Sequence, residues 1–372
     1  MTFRFRIRTL PATLAVTLAG GLALSACGAS NESQAAAGTS GESSAAQLSG
    51  TLNGAGSTAQ QAAMQAWSAG FNSVQPRVTV NYDPVGSGGG RDQWLAGGVA
   101  FAGSDAALSD DEETKATTLC GSEGVFELPN YVSAIAVVYN VPGVSELNLK
   151  PDTIAKIFSG SITKWNDPAI AADNSGAKLP DLAIAPVHRS DKSGTTKNFT
   201  DYLAKAATSN WPSGAVDTWA PKGGEAANGT SGVIAAVKAG KGAIGYADES
   251  QAAGLGVADV GVGSSFVAPT ADAAAKVVEG SKLISGRGKY DFAYDLNRTP
   301  TASDEYPIVL VSYHIGCIKA KDKSRADALK AFENYVISKD GQEAAAKSAG
   351  SAPITDAVRA KSQTAVDAIT AG

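Results

Sequence analysis

YVSAIAVVYNV, Tyr131 to Val141, is an almost unbroken run of β-branched, aromatic and small apolar residues and reads as a strand. Other runs of the same character lie on either side of it. They are RVTVNYDPV (77–85), LAIAPVH (182–188), GAIGYAD (242–248) and YPIVLVSYHIG (306–316). Between them the apolar residues fall at helical spacing, as in Ala63, Trp67, Gly70 and Phe71, and again in Phe199, Tyr202, Leu203 and Ala206. Such alternation predicts an α/β architecture in which helices cover largely parallel sheets. The C-terminal stretch 325–350 reads as two helices with Ala328, Phe332, Tyr335 and Val336 on one face. The 325 residues from Leu48 onward are too many for one core, so two lobes are expected.

The N-terminus reads differently. Arg4, Arg6 and Arg8 precede an apolar run from Ala12 to Leu24, too short for a membrane span of about 20 residues. The run ends in Leu24-Ser25-Ala26-Cys27, which resembles the lipobox of bacterial lipoproteins. Residues 1–26 are therefore expected to be a cleaved leader and Cys27 a lipidation site. The alternative is an ordinary secretory peptide with Cys27 incidental. Residues 27–47 hold no aromatic and no large apolar side chain and are expected to form a disordered tether. Twenty such residues span on the order of 25 Å.

Formal charge is −5, and loss of the three leader arginines takes it to −8. That balance argues against nucleic acid or anionic lipid as a partner. It leaves a small anion open, because local donors outweigh distant carboxylates beyond a Debye length of about 8 Å. Cys120 and Cys317 remain once Cys27 is set aside, and an exported pair suggests one disulfide, the alternative being two buried thiols. With two histidines and no CxxC, no zinc site is expected.

Four loops share glycines and hydroxyls: Gly54-Ala55-Gly56-Ser57-Thr58, Gly86-Ser87-Gly88-Gly89-Gly90, Gly103-Ser104-Asp105, and Arg189 to Thr195. Several join a strand-like run to a helix-like one. There the free N–H groups of a helix start bind an oxyanion, glycines let the main chain approach, and hydroxyls add donors. Arg189 adds a planar fork suited to phosphate or sulfate. Any one such loop is commonly a plain helix cap, and Ser109 with Glu112 reads as an ordinary capping box.

Enzyme motifs fail. No Walker loop and no G-x-S-x-G elbow occur. Gly240 to Gly245 matches G-x-G-x-x-G, but with a helical run before it and a strand after, the reverse of the dinucleotide fingerprint. His188, Ser190, Asp191 and Ser193 have triad residue types, yet alternate side chains of an extended segment diverge. No catalytic residue is expected, and His188 reads as a structural or rim residue.

GAGST (54–58), VGSGGG (85–90), FAGSDAALSD (101–110), ITKWNDPAI (162–170), HRSDKSGTT (188–196) and GAIGYAD together resemble the phosphate-binding lipoproteins of high-affinity ABC transporters. The resemblance runs from Leu48 to the C-terminus and is weakest around 250–300. It implies a periplasmic-binding-protein-like fold of type II, with lobe I from 48–135 and 306–372 and lobe II from 136–305. YVSAIAVVYN and YPIVLVSYH would be the crossing hinge strands. Cys120 and Cys317 then fall in one lobe, which favours their pairing.

The resemblance also implies the ligand set for inorganic phosphate. Thr58 would give its hydroxyl and Ala59 its N–H, and Ser87 would give both. Asp105 would accept a ligand proton, and Arg189 would form the clamp, held by Asp191. Ser193, Gly194 and Thr195 would supply hydroxyls and amides. Ala59 stands where the family often has phenylalanine, and His188 where relatives have a second arginine. The implied partners are membrane permease subunits with a cytosolic ATPase, and a membrane reached through the lipid anchor. The implied state is a monomer on the outer face of the cytoplasmic membrane, with no cofactor or metal. A carboxylate among anion donors reads as a filter: phosphate at neutral pH still carries a proton for Asp105, sulfate carries none. The competing readings are a receptor for sulfate or molybdate and a secreted phosphoesterase.

Overall fold

The computed structural model describes residues 47–372. The expected leader, Cys27 and the tether up to residue 46 lie outside the described residues. No helix among the described residues is long and apolar enough to cross a membrane.

Tyr131–Val141 belongs to a longer strand, Val125–Asn140, buried along all but its ends. It runs antiparallel to Val309–Cys317 over its first part, to Ala134, and antiparallel to Ala243–Asp248 from Ile135 onward. It is thus shared by two groups of strands. On one side lie Val309–Cys317, Phe101–Ser104, Gly50–Gly56 and Val78–Asp83, the last three mutually parallel. On the other lie Ala243–Asp248, Ala185–Arg189 and Glu225–Ala227, also mutually parallel. The parallel sheets expected from the alternation are present, but the two long central strands are antiparallel to each other and to the strands Phe101–Ser104 and Ala243–Asp248 beside them.

The run read as a strand begins at Tyr131, six residues after the strand itself, which also takes in Pro129. The structure accommodates the proline at a bulge, where the register with the partner strand shifts between Ser312 and Tyr313. Glu127, fully buried in that extension, accepts from the Leu108 amide and pairs with Arg287 at 2.7 Å. Arg287 also binds Asp291, and Tyr290–Asp291 pairs with Phe126 and Glu127. Part of the segment that the expected boundary assigns to lobe II is therefore attached to the first group of strands.

Helix Gln61–Val74 buries Ala63, Met64, Trp67 and Phe71 at the expected spacing. The C-terminal stretch forms Lys323–Ile337 and Lys339–Ala349, separated at Ser338, whose hydroxyl accepts from the Gly341 amide and caps the second helix. A third helix, Asp356–Ala368, follows. Cys120 and Cys317 are joined in a disulfide across 197 residues, fastening the end of helix Asp110–Cys120 to the end of strand Val309–Cys317. A cross-link closing so long a loop restricts the unfolded chain strongly, by about 2–5 kcal/mol for natural disulfides. The urea midpoint of the protein is expected to fall on reduction, and a Cys120→Ala/Cys317→Ala variant to be equally destabilised but insensitive to reductant.

Asp248 closes strand Ala243–Asp248 beside the central strand, accepting from the Tyr131 hydroxyl at 3.1 Å and from the Ser250 amide and hydroxyl. Burial pushes its pKa up to about 7, against those hydrogen bonds. The folded protein then holds a proton that the unfolded chain, titrating near 4, releases. Stability conferred by that proton is present at acid pH and is lost as pH rises from about 4 to about 7. Urea titrations are expected to show a loss of a few kcal/mol (~1.4 per pKa unit) over that range, and a flatter profile in Asp248→Asn.

Candidate functional site

The four glycine and hydroxyl loops converge. Gly56 ends the strand Gly50–Gly56 and Ser57 follows it, and Ser87 opens the helix Ser87–Leu95. Asp105 follows the strand Phe101–Ser104, and Arg189 ends Ala185–Arg189. Ser193 caps the helix Gly194–Ala206 by accepting from the Thr196 amide at 3.1 Å. Thr58, Ala59, Ser87, Asp105, Arg189, Ser193 and Thr195 are all buried.

Asp105 lies at their centre. Its Oδ2 accepts from the Ser87 hydroxyl at 3.3 Å and the Thr195 hydroxyl at 3.1 Å, while Oδ1 accepts from Ser312 at 2.9 Å. The Ser87 hydroxyl in turn accepts from the Asp105 amide. Burial raises the carboxyl above its ordinary range, opposed by hydroxyls of Ser57, Ser312 and Thr195 and by the charge of Arg189. The carboxylate expected to face a ligand is thus already held by hydroxyls. Two oxygens offer about four acceptor sites, so three bonds leave one, and the Ser87 and Thr195 hydroxyls can turn.

The Arg189 guanidinium grips Asp191 through Nε at 2.7 Å and Nη2 at 2.5 Å. Asp191 also accepts from the Gly229 amide. Burial pushes Asp191 up, but those bonds and the arginine's charge prevail and hold it below its ordinary range. Among the described residues no acceptor takes Nη1 of Arg189 or the amides of Gly194 and Thr195. Two amides at the helix start and one edge of the arginine therefore stand uncommitted. A Cβ on Gly194 would come within 2.6 Å of the Ser87 hydroxyl and 2.8 Å of the Asp105 Cβ, so only glycine fits there.

Two expected donors sit differently. The Ala59 amide donates to the Ser57 hydroxyl at 3.0 Å, in a local turn that commits it, and the methyl packs into the core. The Thr58 hydroxyl meets Thr230, accepting from its amide at 3.1 Å and sharing a hydrogen bond with its hydroxyl at 2.9 Å. Thr230 opens the helix Gly229–Ala239, which the sequence reading did not place at the site. Ser312, on the fully buried part of its strand, was missed as well. So was Asn198, whose amide donates to the Asp105 carbonyl at 2.6 Å. Nothing local marks Ser312 or Asn198, since each lies tens to hundreds of positions from its partner, but Thr230 does carry a mark, the glycine and hydroxyl stretch Asn228-Gly229-Thr230-Ser231-Gly232 at a helix start.

The candidate nucleophile cluster is not arranged as a triad. His188 Nδ1 lies 3.0 Å from the Arg189 carbonyl and its ring stacks on Trp219, Asp191 is committed to Arg189, and Ser193 caps its helix. A cleft of about 1020 Å³ adjoins the site, lined by Asp105 but by none of the other expected ligands. Glu113, Glu127 and Asp291 approach closely enough to share a metal, but the Arg287 guanidinium sits among them at 2.6–2.7 Å from each. Their charge is answered by that arginine.

Comparison with known proteins joins this geometry to a lineage. Residues 40–340 match the family described as the PBP superfamily domain. The chain is 39% identical to phosphate-binding protein PstS3 of Mycobacterium bovis BCG over 98% of its own length and 100% of that protein's. It is 38% identical to phosphate-binding protein PstS 2 of Mycobacterium tuberculosis over 96% of its own length and 98% of that protein's. Among solved structures, a high-affinity periplasmic phosphate-binding protein, PfluDING, bound with phosphate, superimposes with a TM-score of 0.69 at 23% identity, over 85% of this chain and 93% of that one. A phosphate-binding protein from Stenotrophomonas maltophilia gives 0.66 at 19% identity, over 85% and 94%. These last two likenesses establish the fold, of the type II periplasmic-binding-protein kind, and the closer sequence matches establish that the chain belongs to the PstS family of phosphate-binding proteins.

Proposed function

We propose that this protein is an extracytoplasmic receptor that encloses one inorganic phosphate between two lobes and delivers it to an ABC permease, without making or breaking a bond. The observation that carries the reading is the setting of Asp105: a buried carboxylate reached by a hydroxyl from Ser87 on one side and Thr195 on the other, beside a clamped arginine and two free helix-start amides. Donors read the oxygens of the anion and Asp105 reads its proton. An anion without a proton would set its oxygens against the carboxylate, a buried mismatch of several kcal/mol.

The lobes are those of the expected division, 48–135 with 306–372 and 136–305. The exchange of strand partners between Ala134 and Ile135 supports it. The stretch around Arg287 moves with lobe I, because its contacts are there. The phosphate ligands are Thr58, Ser87, Asp105, Arg189, Ser193, Gly194 and Thr195, with Asp191 fixing Arg189. The Ala59 amide joins them only after leaving Ser57. The protein works as a monomer, its largest exposed apolar side chain among the described residues being Val74, and Cys27 carries the lipid that holds it at the outer face of the membrane.

Titration calorimetry tests the reading. The wild type is expected to bind phosphate and arsenate, which both carry protons, and to ignore sulfate; equal affinity for sulfate would overturn the filter. Asp105→Asn is expected to lose discrimination against sulfate more than it loses phosphate affinity, because an amide donates to an unprotonated oxygen. Because burial raises Asp105, acidification protonates it and is expected to let sulfate compete in the wild type but not to change its competition in Asp105→Asn. Arg189→Ala is expected to weaken phosphate binding by about 2 kcal/mol or more through loss of a charge-assisted bond. An unchanged isotherm would remove Arg189 from the site.

A further inference from the structure

Ser109 and Glu112 do form the reciprocal capping box, but Glu112 does more than cap. Its carboxylate, buried to 5% exposure, takes Arg91 Nε at 3.0 and 3.1 Å and the Lys192 ammonium at 3.0 Å. Arg91, itself 2% exposed, reaches with Nη2 to Asp217 at 3.1 Å and with Nη1 to the Ser104 hydroxyl at 2.9 Å. Lys192 and Asp217 stand 4.0 Å apart. Burial pushes Glu112 up, yet Arg91, the Ser109 amide and Lys192 bring it down to about 2, so it is charged at neutral pH.

These four charges divide evenly. Arg91 and Glu112 belong to the lobe I side, Lys192 and Asp217 to lobe II. Each side thus carries one cation and one anion of its own. When the sides part, Arg91 keeps Glu112 and Lys192 keeps Asp217 as neighbour, so no charge is stranded. When they meet, Arg91–Asp217 and Lys192–Glu112 form in addition. We propose that this quartet is a closing latch that sets the affinity and residence time of the bound anion without touching it. The inference rests on the two-lobe reading above.

The latch is wired to the site through the backbone. Lys192 and Asp217 hold the start of helix Gly194–Ala206: the Lys192 carbonyl accepts from the Gly88 amide, beside Ser87, and the Asp217 carbonyl accepts from Ser193. Arg91 holds Ser104, next to Asp105. Asp217 and Lys192 are partly exposed, 25% and 38% at their side chains, so the cross bonds are screened and worth less than fully buried ones. Their loss allows the closed form to open more often, which appears in the off-rate.

Asp217→Asn and Lys192→Met are compared with the wild type by calorimetry with inorganic phosphate, by stopped-flow release, and by melting of the phosphate-free protein. Each variant is expected to bind phosphate about 5–10-fold more weakly, mainly through faster release, with the melting of the phosphate-free protein unchanged. Affinity within twofold of the wild type, or a weakening matched by an equal loss of phosphate-free stability, would overturn the latch. If the wild type itself gives no phosphate isotherm, the ligand reading fails instead. The latch is then judged by small-angle scattering, standing if Asp217→Asn expands the particle and falling if the radius is unchanged.

Discussion

A carboxylate with 3% of its surface in contact with water has to draw its hydrogen bonds from the protein, and Asp105 draws them from remote parts of the chain. Ser87 comes from a helix start, Thr195 from another helix 90 residues further on, and Ser312 from a strand 207 residues away. Leaving such a group unpaired would cost several kcal/mol. The return of strand Val309–Cys317 between Phe101–Ser104 and the central strand is what places Ser312 there. The chain's long detour and the pairing of this buried acid are therefore parts of one arrangement.

The charge balance around that acid decides how the site can attract an anion. Arg189 is answered in full by Asp191, and Asp105 adds a negative charge. Counted over these three residues the site is anionic, as is the chain as a whole. Attraction by net charge is thereby removed as the source of affinity. What remains is directional: the uncommitted amides of Gly194 and Thr195, the free edge of the arginine, and hydroxyls that turn. A site of this kind selects by the pattern of protons and lone pairs, where a cluster of lysines would select by charge alone.

Much of this is written locally and some of it is not. Strand runs, the spacing of Trp67 and Phe71, the Ser109–Glu112 box and the glycine and hydroxyl loops depend on neighbours within a few residues, and the sequence carries them openly. Ser312 is a single hydroxyl inside an apolar strand, where nothing distinguishes it from a residue that merely fits, whereas Thr230 sits in Asn228-Gly229-Thr230-Ser231-Gly232, a fifth glycine and hydroxyl stretch at a helix start that the sequence reading passes over. Arg91 and Asp217 are 126 positions apart and look like ordinary surface charges. Pro129 lies within the strand because the residue after it, Asn130, is left over in a bulge opposite Ser312 and Tyr313. Ala59 was expected to offer its amide, but the serine two residues before it accepts that amide, a local competition visible only in the geometry.

Around Asp105 hydroxyls rather than counter-charges make the contacts, and that choice has a mechanical consequence. Thr58 faces Thr230, and Thr195 and Ser87 share Asp105. Each hydroxyl is one donor and two acceptors on a freely turning bond. It can satisfy its opposite number in one state and an anion in another without moving the backbone. A lysine in the same place would need a fixed counter-charge in both states, at the desolvation cost of a buried ion pair. The fixed charges are accordingly paired: Arg189 with its own aspartate, and Arg91, Glu112, Lys192 and Asp217 beside the site in two self-neutralised pairs. On the proposed reading, the groups that touch the anion are then free to adapt to it, and the charges that join the two halves stay neutral in sum whether the cleft is open or shut.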